Sequence, residues 1–536
     1  MGLLQRLLQR LLVELGLSLE LEAQGPSVAD AAARPMAMPE AVALLPVWRG
    51  DRLLQGIVRG QRFVHNPAVT DGLVLLSPRA GALLDASDGA PLGQTLERIS
   101  IGAASDPRWL GEARLLLRGG MIQHSRREQL TVDAWLGRRP AVAERTFDLW
   151  LHVTNDCNLD CPYCYIDKSK ARMDDGAMAR AARAIEAAAA AGHCERVHVR
   201  YAGGEPMLRF AEVQRFHADA VAACDRHGVR YTAAILTNGT VVPDGAPAWL
   251  RAHGVGLSVS IDGLGAAQDV MRPTRAGRGS WRHLARGLEA WRRGGVEPYV
   301  LVTLGDGNID EAPALVRWLL AEGLAFRLSL VRDLELGRGD MDDRHGAQRP
   351  RQAPLPAGGI LQGDALQRVL RPLMTAYDAI EAHVGAQVDA GVAVAPEFRA
   401  KHRFCDLSPF RPIGKACGAG SNYAAIGPAA AFSACQAALH HGDEVATLAG
   451  DRSIVEQARA HRPFGAFTRA EGNDDCRSCR HQLSCAGGCP LLLHRRDGHI
   501  DGRSPFCEVF RAVLPRIVRI AALELVGQRR RATATT

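Results

Sequence analysis

Six apolar runs rich in β-branched residues recur between residues 146 and 332. They read FDLWLHVT, RVHVRYAGG, RYTAAILTNG, VGLSVSIDG, EPYVLVTLG and FRLSLVRD, with helical stretches such as MARAARAIEAAAAAG and AEVQRFHADAVAAC between them. Strands that alternate with helices pair in parallel, because each helix carries the chain back to the same end of the sheet. The pattern therefore predicts an α/β fold whose parallel sheet is open or curled into a partial (β/α)6 barrel.

The chemically distinctive residues follow the ends of these predicted strands. A three-cysteine loop follows the first strand, GGEP the second, TNG the third and SIDG the fourth. In parallel α/β folds, ligands bind at the carboxyl ends of the strands. These four loops are therefore expected to form one site.

Eleven of the thirteen cysteines fall into three groups. The groups are Cys157, Cys161 and Cys164; Cys405, Cys417 and Cys435; and Cys476, Cys479, Cys485, Cys489 and Cys507. In a large chain without a secretory signal, such grouping indicates metal or redox chemistry rather than disulfides. Cys194 and Cys224 lie apart, in or beside helical stretches, and are interpreted as core residues.

The first group, in CNLDCPYCY, has the spacing C-x3-C-x2-C and stops at three cysteines. One interpretation is a zinc site with a distant fourth ligand, for which His152 is a weak candidate because it lies inside the predicted strand. The other is an iron–sulfur cluster with one iron left open, since metal sites that do chemistry keep a position for substrate.

Length and composition narrow the class of protein. A chain of 536 residues suits about two to four domains. The net charge of +7, with no basic stripe interleaved with aromatics, gives no indication of nucleic-acid binding. No apolar run approaches the ~20 residues of a membrane span, and Arg6 and Arg10 interrupt the leucine-rich start where a secretory signal would be unbroken. We therefore expect a cytoplasmic protein that does not bind membranes, with the leucine helix packed on its own protein or on a second copy.

The region ahead of the βα units has its own pattern. LLQGIV, RFVHN and LVLLS are strand-like, and SPRAGALLDASDG predicts a helix with Ser77 as its N-cap and Pro78 at its first position. Further helices are predicted over 92–101 and 107–117, followed by a strand in MIQHS. Three short strands, then helices and a last strand indicate a winged-helix-like module.

The cysteine loop, with an aromatic before its last cysteine and directly after a first strand, resembles that of radical S-adenosylmethionine (SAM) enzymes. The likeness extends over about 147–332. It implies that three thiolates hold a [4Fe-4S] cluster whose open iron binds the amino and carboxylate groups of SAM. An external one-electron reductant would supply the electron that converts SAM into a 5′-deoxyadenosyl radical. The SAM contacts implied by the resemblance are Tyr163, Gly203, Gly204, Glu205, Asn238, Ser260 and Arg272.

The later cysteines resemble those of the SPASM domain. CRSCRHQLSCAGGCP gives C-x2-C-x5-C-x3-C, and Cys417 and Cys435 bracket a hairpin, although Ala430 stands where that pattern usually has glycine. The resemblance implies two closed auxiliary [4Fe-4S] clusters, three clusters in all. One would be held by Cys405, Cys417, Cys435 and Cys489, and the other by Cys476, Cys479, Cys485 and Cys507. A pair of zinc ribbons is the alternative.

The stretch from Val47 to Ser125 resembles the PqqD-like peptide recognition element, mostly through LSPRAGALLDASDG. That element is a small winged helix that captures the leader of a precursor peptide by adding it as a strand to an exposed sheet edge. The alternative is a structural cap or a dimerisation domain.

Together these resemblances imply a peptide maturase that installs a C–S or C–C crosslink in a ribosomally made precursor peptide, which it binds by the leader. One alternative is oxidation of a Cys or Ser in a protein partner, as in anaerobic sulfatase maturases. Another is a metal-stabilised peptide-binding scaffold without catalysis. No acid or base can be assigned, because Asp269 and Arg332, near strand ends, are better interpreted as turn or salt-bridge residues.

The predicted organisation has six segments. They are a leucine-rich helix and linker (1–45), a winged-helix peptide recognition element (46–139), a radical SAM partial barrel (146–336), a linker and helix (337–400), a SPASM domain (401–515), and a C-terminal helix with a disordered basic tail (516–536).

Overall fold

The computed structural model describes residues 46–50, 52–69, 72–123, 146–332, 361–394, 403–410, 417–440, 445–461, 476, 479–500 and 502–534. The predicted leucine helix and most of the predicted 337–363 linker lie outside these residues. The chain divides into two compact units, one of Met1–Trp135 with Phe410–Pro412, and one of Leu136–Pro409 with Ile413–Thr536.

The first unit contains two small antiparallel sheets and three helices in its described part. Its elements are β1 Pro46–Arg49, β2 Leu54–Val58, β3 Gln61–His65, β4 Leu73–Leu75, α1 Pro78–Ala86, β5 Asp88–Pro91, α2 Leu92–Ile99, α3 Pro107–Arg118 and β6 Ile122–Gln123. One sheet has the order β5-β1-β6 and the other β2-β3-β4. The sequence predicted β2, β3, β4, β6 and the three helices, but not β1 or β5.

The start of α1 shows why that prediction was sound. The Ser77 side chain accepts a hydrogen bond from Ala80 N at 3.0 Å, which satisfies one of the free amides of the first turn. Leu83 and Leu84 of this helix are fully buried in a core that they share with Leu96 and Leu116. Whether the unit is a winged helix stays a prediction.

The second unit is built on a sheet of ten strands in the described residues, ordered β13-β12-β11-β10-β9-β8-β7-β14-β15-β16. Its centre is the six predicted strands, all parallel, with helices between them. They are β7 Thr146–Thr154, α4 Asp175–Ala190, β8 Arg196–Gly203, α5 Phe210–Asp225, β9 Arg230–Thr237, α6 Ala246–Ala252, β10 Gly256–Ser260, α7 Ala266–Met271, α8 Trp281–Arg293, β11 Tyr299–Leu304, α9 Ala312–Ala321 and β12 Phe326–Leu330. The predicted parallel-sheet core is confirmed.

The two faces of this sheet differ in chemistry. Val199 and Tyr201 of β8 are fully buried, and Tyr201 packs edge-on against Phe216 of α5, so the helices cover that face. Most side chains of the opposite face are half-buried, and many of them are polar. Arg200 of β8, for example, pairs with Asp148 of β7 at 3.0 Å. One face therefore forms the core and the other leaves room for polar groups.

The cysteine-bearing part of the chain extends both edges of the parallel core. Its elements are α10 Gly363–Asp389, β13 Arg403–Phe404, β14 Tyr423–Ile426, β15 Ala431–Ser433, β16 Ala446–Thr447, α11 Ile454–Ala460, α12 Gln482–Cys485, α13 Pro490–Asp497 and α14 Cys507–Ala534. β13 pairs in parallel with β12, and β14 pairs in parallel with β7. The sheet therefore does not close on itself.

The C-terminal residues differ from expectation. The tail predicted to be disordered continues α14 as far as Ala534. Its arginines contact α10 and the residues just after it: Arg530 lies 3.4 Å from Asp389, and Arg531 donates to the carbonyl of Val392 at 3.0 Å. Within the described residues, no helix combines the length and apolar composition needed to cross a bilayer.

Candidate active site

The GGEP loop after β8 lies directly against the start of the cysteine loop. Gly204 N donates to Thr154 O at 2.7 Å, and Glu205 N donates to Asp156 O at 2.8 Å. A Cβ at Gly204 would stand 2.2 Å from Asp156 O, and Gly203 has a φ of +133°. Both glycines are therefore required by close approach and backbone conformation, and the predicted neighbourhood of the two loops is correct.

The three cysteines of the first group lie at this edge, with Cys157 buried and Cys161 and Cys164 partly buried. The pKa of the Cys157 thiol is raised to about 11 and that of Cys161 to about 12, mainly by burial, and the charge of Cys164 contributes to both increases. Arg272 and Lys168 offset part of the cost of burying a Cys161 thiolate, and a metal centre bound by the three sulfurs would stabilise their charge further.

A zinc site finds no support in the described part of the chain. There, no three His, Cys, Asp or Glu side chains converge closely enough for a single metal ion. A [4Fe-4S] cluster places its thiolates on different irons and so holds them further apart than one ion does. His152, the weak zinc candidate, is fully buried in β7 and packs edge-on against His440 at 5.2 Å.

Glu205 joins two of the predicted site loops. Its Oε2 accepts from Asn238 N at 2.7 Å, and its Oε1 accepts from Thr237 Oγ1 at 2.8 Å and from Met207 N at 3.0 Å. Burial raises the pKa of this carboxyl to about 7, and these three donors act in the opposite direction. The Glu205 side chain therefore joins the loop after β9 to the loop after β8 by hydrogen bonds.

Asn238 continues these hydrogen bonds to the cysteine loop. Its Nδ2 donates to Asn158 Oδ1 at 2.8 Å and lies 3.8 Å from Cys157 Sγ, while its Oδ1 accepts from Thr240 N at 2.9 Å. The loops after β7, β8 and β9 are thus one connected network.

Asp262 organises the fourth loop. Its Oδ2 accepts from Arg272 Nε at 2.6 Å and from the Tyr163 hydroxyl, while its Oδ1 accepts from Thr303 N at 2.8 Å. Arg272 in turn places Nη1 3.9 Å from Cys161 Sγ and its guanidinium carbon 5.6 Å from the centre of the Tyr163 ring. Two predicted SAM contacts are therefore held by one buried carboxylate beside the cysteine loop.

Sequence reasoning placed Asp262 at a strand end but did not select it as a site residue. The available signal was SIDG, an acidic residue after the buried Ile261. Ser260, which was selected, ends β10 and is half-buried. Within the described residues, no hydrogen bond joins Ser260 to the cysteine loop.

The other residues weighed as acid–base candidates have structural roles. Asp269 Oδ1 accepts from Trp281 N at 2.7 Å and so caps the start of α8. Arg332 pairs with Asp406 at 2.7 Å. Cys194 is 6% exposed and Cys224 is fully buried, as expected of core residues.

The eight later cysteines show two sets of neighbours. The pKa of Cys435 is raised to about 12, mainly by burial, with the charges of Cys489 and Cys417 contributing. Burial also raises the pKa of Cys489, with Cys405 among the charges that add to the increase. Burial raises the pKa of Cys485 to about 12, and there the contributing charges are Cys476, Cys479 and Cys507. The thiols thus have two groups of neighbours, and their assignment to two clusters stays a prediction.

Residues 151–319 match the family profile of the Radical SAM superfamily. The chain contains a radical SAM domain. Two curated relatives are serine-type anaerobic sulfatase-maturating enzymes. That of Klebsiella aerogenes is 31% identical over 176 residues, which is 32% of this chain and 42% of the relative. That of Klebsiella pneumoniae is 30% identical over 176 residues, covering 32% and 44%. The chain therefore spans less than half the length of these relatives.

Solved structures agree in fold. Native anSMEcpe with bound AdoMet has a TM-score of 0.52 and 14% identity, over 70% of this chain and 98% of that chain. Native anSMEcpe with bound AdoMet and Cp18Cys peptide has a TM-score of 0.53 and 14% identity, over 70% and 99%. The radical SAM domain marks the protein as an enzyme, so the scaffold without catalysis is set aside. The domain also implies a [4Fe-4S] cluster and SAM, and three buried or half-buried thiols on one loop, with Arg272 3.9 Å from Cys161 Sγ, fit that pair.

Proposed function

We propose that the enzyme is a radical SAM peptide maturase that installs a C–S or C–C crosslink in a ribosomally made precursor peptide. The observation that carries the proposal is the length of this chain beyond the part that matches the anSMEcpe fold. The anSMEcpe fold is matched over 98% of its own length but only 70% of this chain. The first unit, most of which precedes the parallel core in the sequence, is proposed to be part of this addition.

At the active site, Cys157, Cys161 and Cys164 would hold the cluster, and SAM would bind its open iron. When bound, this pair supplies a 5′-deoxyadenosyl radical that abstracts hydrogen from an unactivated carbon. The polypeptide would bind and orient the cluster and SAM, and it would exclude water from them. Arg272 would face the SAM carboxylate, and Asp262 fixes the orientation of its guanidinium. We include Tyr163, Gly203, Gly204, Glu205, Asn238 and Ser260 among the SAM contacts.

Two auxiliary [4Fe-4S] clusters complete the proposed cofactor set. Cys405, Cys417, Cys435 and Cys489 would hold one, and Cys476, Cys479, Cys485 and Cys507 the other. The two sets of charge neighbours among these thiols support this division. Both would be closed sites that transfer electrons and support the surrounding loops.

The first unit would bind the leader of the precursor. Its β2-β3-β4 sheet ends in the strands β2 and β4 within the described residues, and Ile57 of β2 is 61% exposed. An extended peptide adds to such an edge through main-chain hydrogen bonds. Leader capture would raise the effective concentration of the reacting segment near the cluster. The solved structure of anSMEcpe with Cp18Cys peptide is a case of a peptide bound to this fold.

The test is anaerobic expression together with a short open reading frame adjacent to this gene, followed by mass measurement of the peptide. A crosslink removes the mass of two hydrogen atoms, and a peptide lacking its leader should react far more slowly. An external one-electron reductant in the cytoplasm is part of the proposal. Protein that holds zinc and never yields 5′-deoxyadenosine would refute it.

A second candidate is oxidation of a Cys or Ser in a protein partner. The matches to the two Klebsiella enzymes favour it. Protease digestion of the product separates the candidates, because oxidation of a Ser to an aldehyde removes the same two hydrogen atoms as a crosslink but leaves no bond between residues. A product that is cleaved to free peptides by protease would support oxidation, and one whose fragments stay joined would support crosslinking.

A further inference from the structure

Arg332 connects the parallel core to the cysteine-bearing part of the chain. It lies two residues beyond β12, and its Nη2 is 2.7 and 2.8 Å from the two carboxylate oxygens of Asp406. The same nitrogen donates to Cys405 Sγ at 3.2 Å. One guanidinium therefore contacts both a carboxylate and the thiol of a proposed cluster ligand.

The backbone holds this contact in place. Cys405 N donates to Leu328 O at 2.8 Å, which continues the pairing of β13 with β12. Val331 N donates to Leu304 O at 2.8 Å, which fixes the residue just before Arg332. The side chains of Arg332 and Asp406 are 25% and 16% exposed. A partly buried charge fixed by sheet hydrogen bonds is screened much less than a surface arginine.

Cys489 lies near the same guanidinium. Burial raises the pKa of its thiol, and the Arg332 charge is the next largest influence and acts against that rise. Cys405 and Cys489 belong to the same proposed set of four. Arg332, just beyond β12, thus contacts one ligand of a proposed cluster, and its charge acts on a second.

We propose that Arg332 sets the reduction potential of the auxiliary cluster held by Cys405, Cys417, Cys435 and Cys489. This inference rests on the proposed function, which supplies the cluster. Reduction adds one electron to the cluster, here from dithionite, and makes or breaks no bond. An N–H donated to a ligand sulfur, together with a positive charge, stabilises the more negative reduced state and raises the potential.

Asp406 acts in the opposite direction, because its carboxylate cancels part of the guanidinium charge. Arg332→Gln should therefore lower the potential, and Asp406→Asn, which leaves the guanidinium unbalanced, should raise it. Arg332→Lys, which keeps the charge without the planar fork, should lie between wild type and Arg332→Gln. A pair that only supported the loop would give both substitutions the same effect.

The experiment is a redox titration with dithionite, followed by electron paramagnetic resonance, on the full chain reconstituted anaerobically with iron and sulfide. The SAM-binding cluster is recognised because its spectrum changes when SAM is added. We expect one of the other signals to move down in Arg332→Gln and up in Asp406→Asn, each by at least about 59 mV, a tenfold change for one electron. Arg226→Gln, which removes an exposed ion pair with Glu186, is the control and should move none.

Two results overturn the inference in distinguishable ways. If the wild type holds a single cluster, the proposed cofactor set fails and the inference fails with it. If the auxiliary clusters are present but their potentials stay fixed, or both substitutions shift one in the same direction, only the inference fails. If Arg332→Gln loses the cluster, Asp406→Asn and Arg332→Lys decide between these outcomes.

Discussion

Asp262 holds Arg272 by a 2.6 Å hydrogen bond from Arg272 Nε, and both side chains are nearly inaccessible, at 0% and 11% exposure. The same carboxylate oxygen accepts from Tyr163. A buried charge pair of this kind is costly to break from one side only. Asp262 therefore determines the position of two proposed SAM contacts without being one itself.

The first prediction concerns Asp262→Asn. Loss of the carboxylate charge should loosen Arg272 and raise the KM for SAM by on the order of tenfold to a hundredfold, while iron content stays unchanged. The rate of 5′-deoxyadenosine formation against SAM concentration measures it. Asp269→Asn, in helix α7 of the same connection between β10 and α8, is the matched control: it weakens the cap of α8 by removing the charge and should lower stability slightly with little change in KM. Equal effects of the two variants would contradict the assigned role.

The second prediction concerns the open cluster. Cys161→Ala or Cys164→Ala should abolish SAM cleavage and leave about eight irons per chain, the content of two clusters. Iron and sulfide analysis of anaerobically purified protein checks this, with Cys194→Ala as a cysteine control outside the site. Loss of all iron would mean that the cysteine sets have been misassigned.

The third prediction is that folding stability depends on pH through His217 of helix α5. Burial, with a smaller contribution from the charge of His253, lowers the pKa of His217 to about 4. The unfolded chain, with a histidine pKa near 6.5, therefore binds a proton at pH values where the folded chain does not. Stability from this group is complete above about pH 6.5 and falls as the pH decreases towards 4.

Between pH 7.5 and 5.5 the expected loss is about 1 kcal/mol, or about 1–2 °C in Tm. His217→Gln removes the titrating group, so its melting temperature should be lower at pH 7.5 but flatter across this range. If the melting temperatures of wild type and variant change by the same amount between pH 7.5 and 5.5, His217 does not contribute to the pH dependence.

The fourth prediction concerns the turn between β14 and β15. Ala429 and Ala430 have φ values of +55° and +57°, a left-handed conformation that favours glycine. Ala430 stands where the SPASM pattern usually has glycine, and the turn keeps the conformation that a glycine would adopt.

Ala429→Gly should stabilise the protein by about 0.5–1 kcal/mol. Ala429 is exposed, so the substitution removes backbone strain without removing a packed methyl group. Ala430→Gly should be nearly neutral, since it also removes a fully buried methyl group, at a cost of about 0.8 kcal/mol. Thermal unfolding of the two variants side by side makes the comparison. A destabilised Ala429→Gly would contradict the strain argument.

The sequence predicted the parts of this molecule that depend on local spacing. The six parallel strands and the cap at Ser77 followed from patterns within a few residues, and the neighbourhood of the GGEP and cysteine loops followed from their common position after parallel strands. Asp262 was not recognised as a site residue, because its importance comes from Arg272 and Tyr163, which lie 10 and 99 positions away. The pairings of β13 and β14 with the parallel core likewise join segments with no shared periodicity.

The two added strands have a consequence for any attempt to shorten this protein. β13 covers part of the free edge of β12, and β14 covers part of that of β7. A chain that stops before Arg403 would present unpaired amides and carbonyls on both sides of the sheet, which invites edge-to-edge association. The cysteine-bearing segment thus also protects the catalytic half from aggregation, and the two halves should be made and studied as one piece.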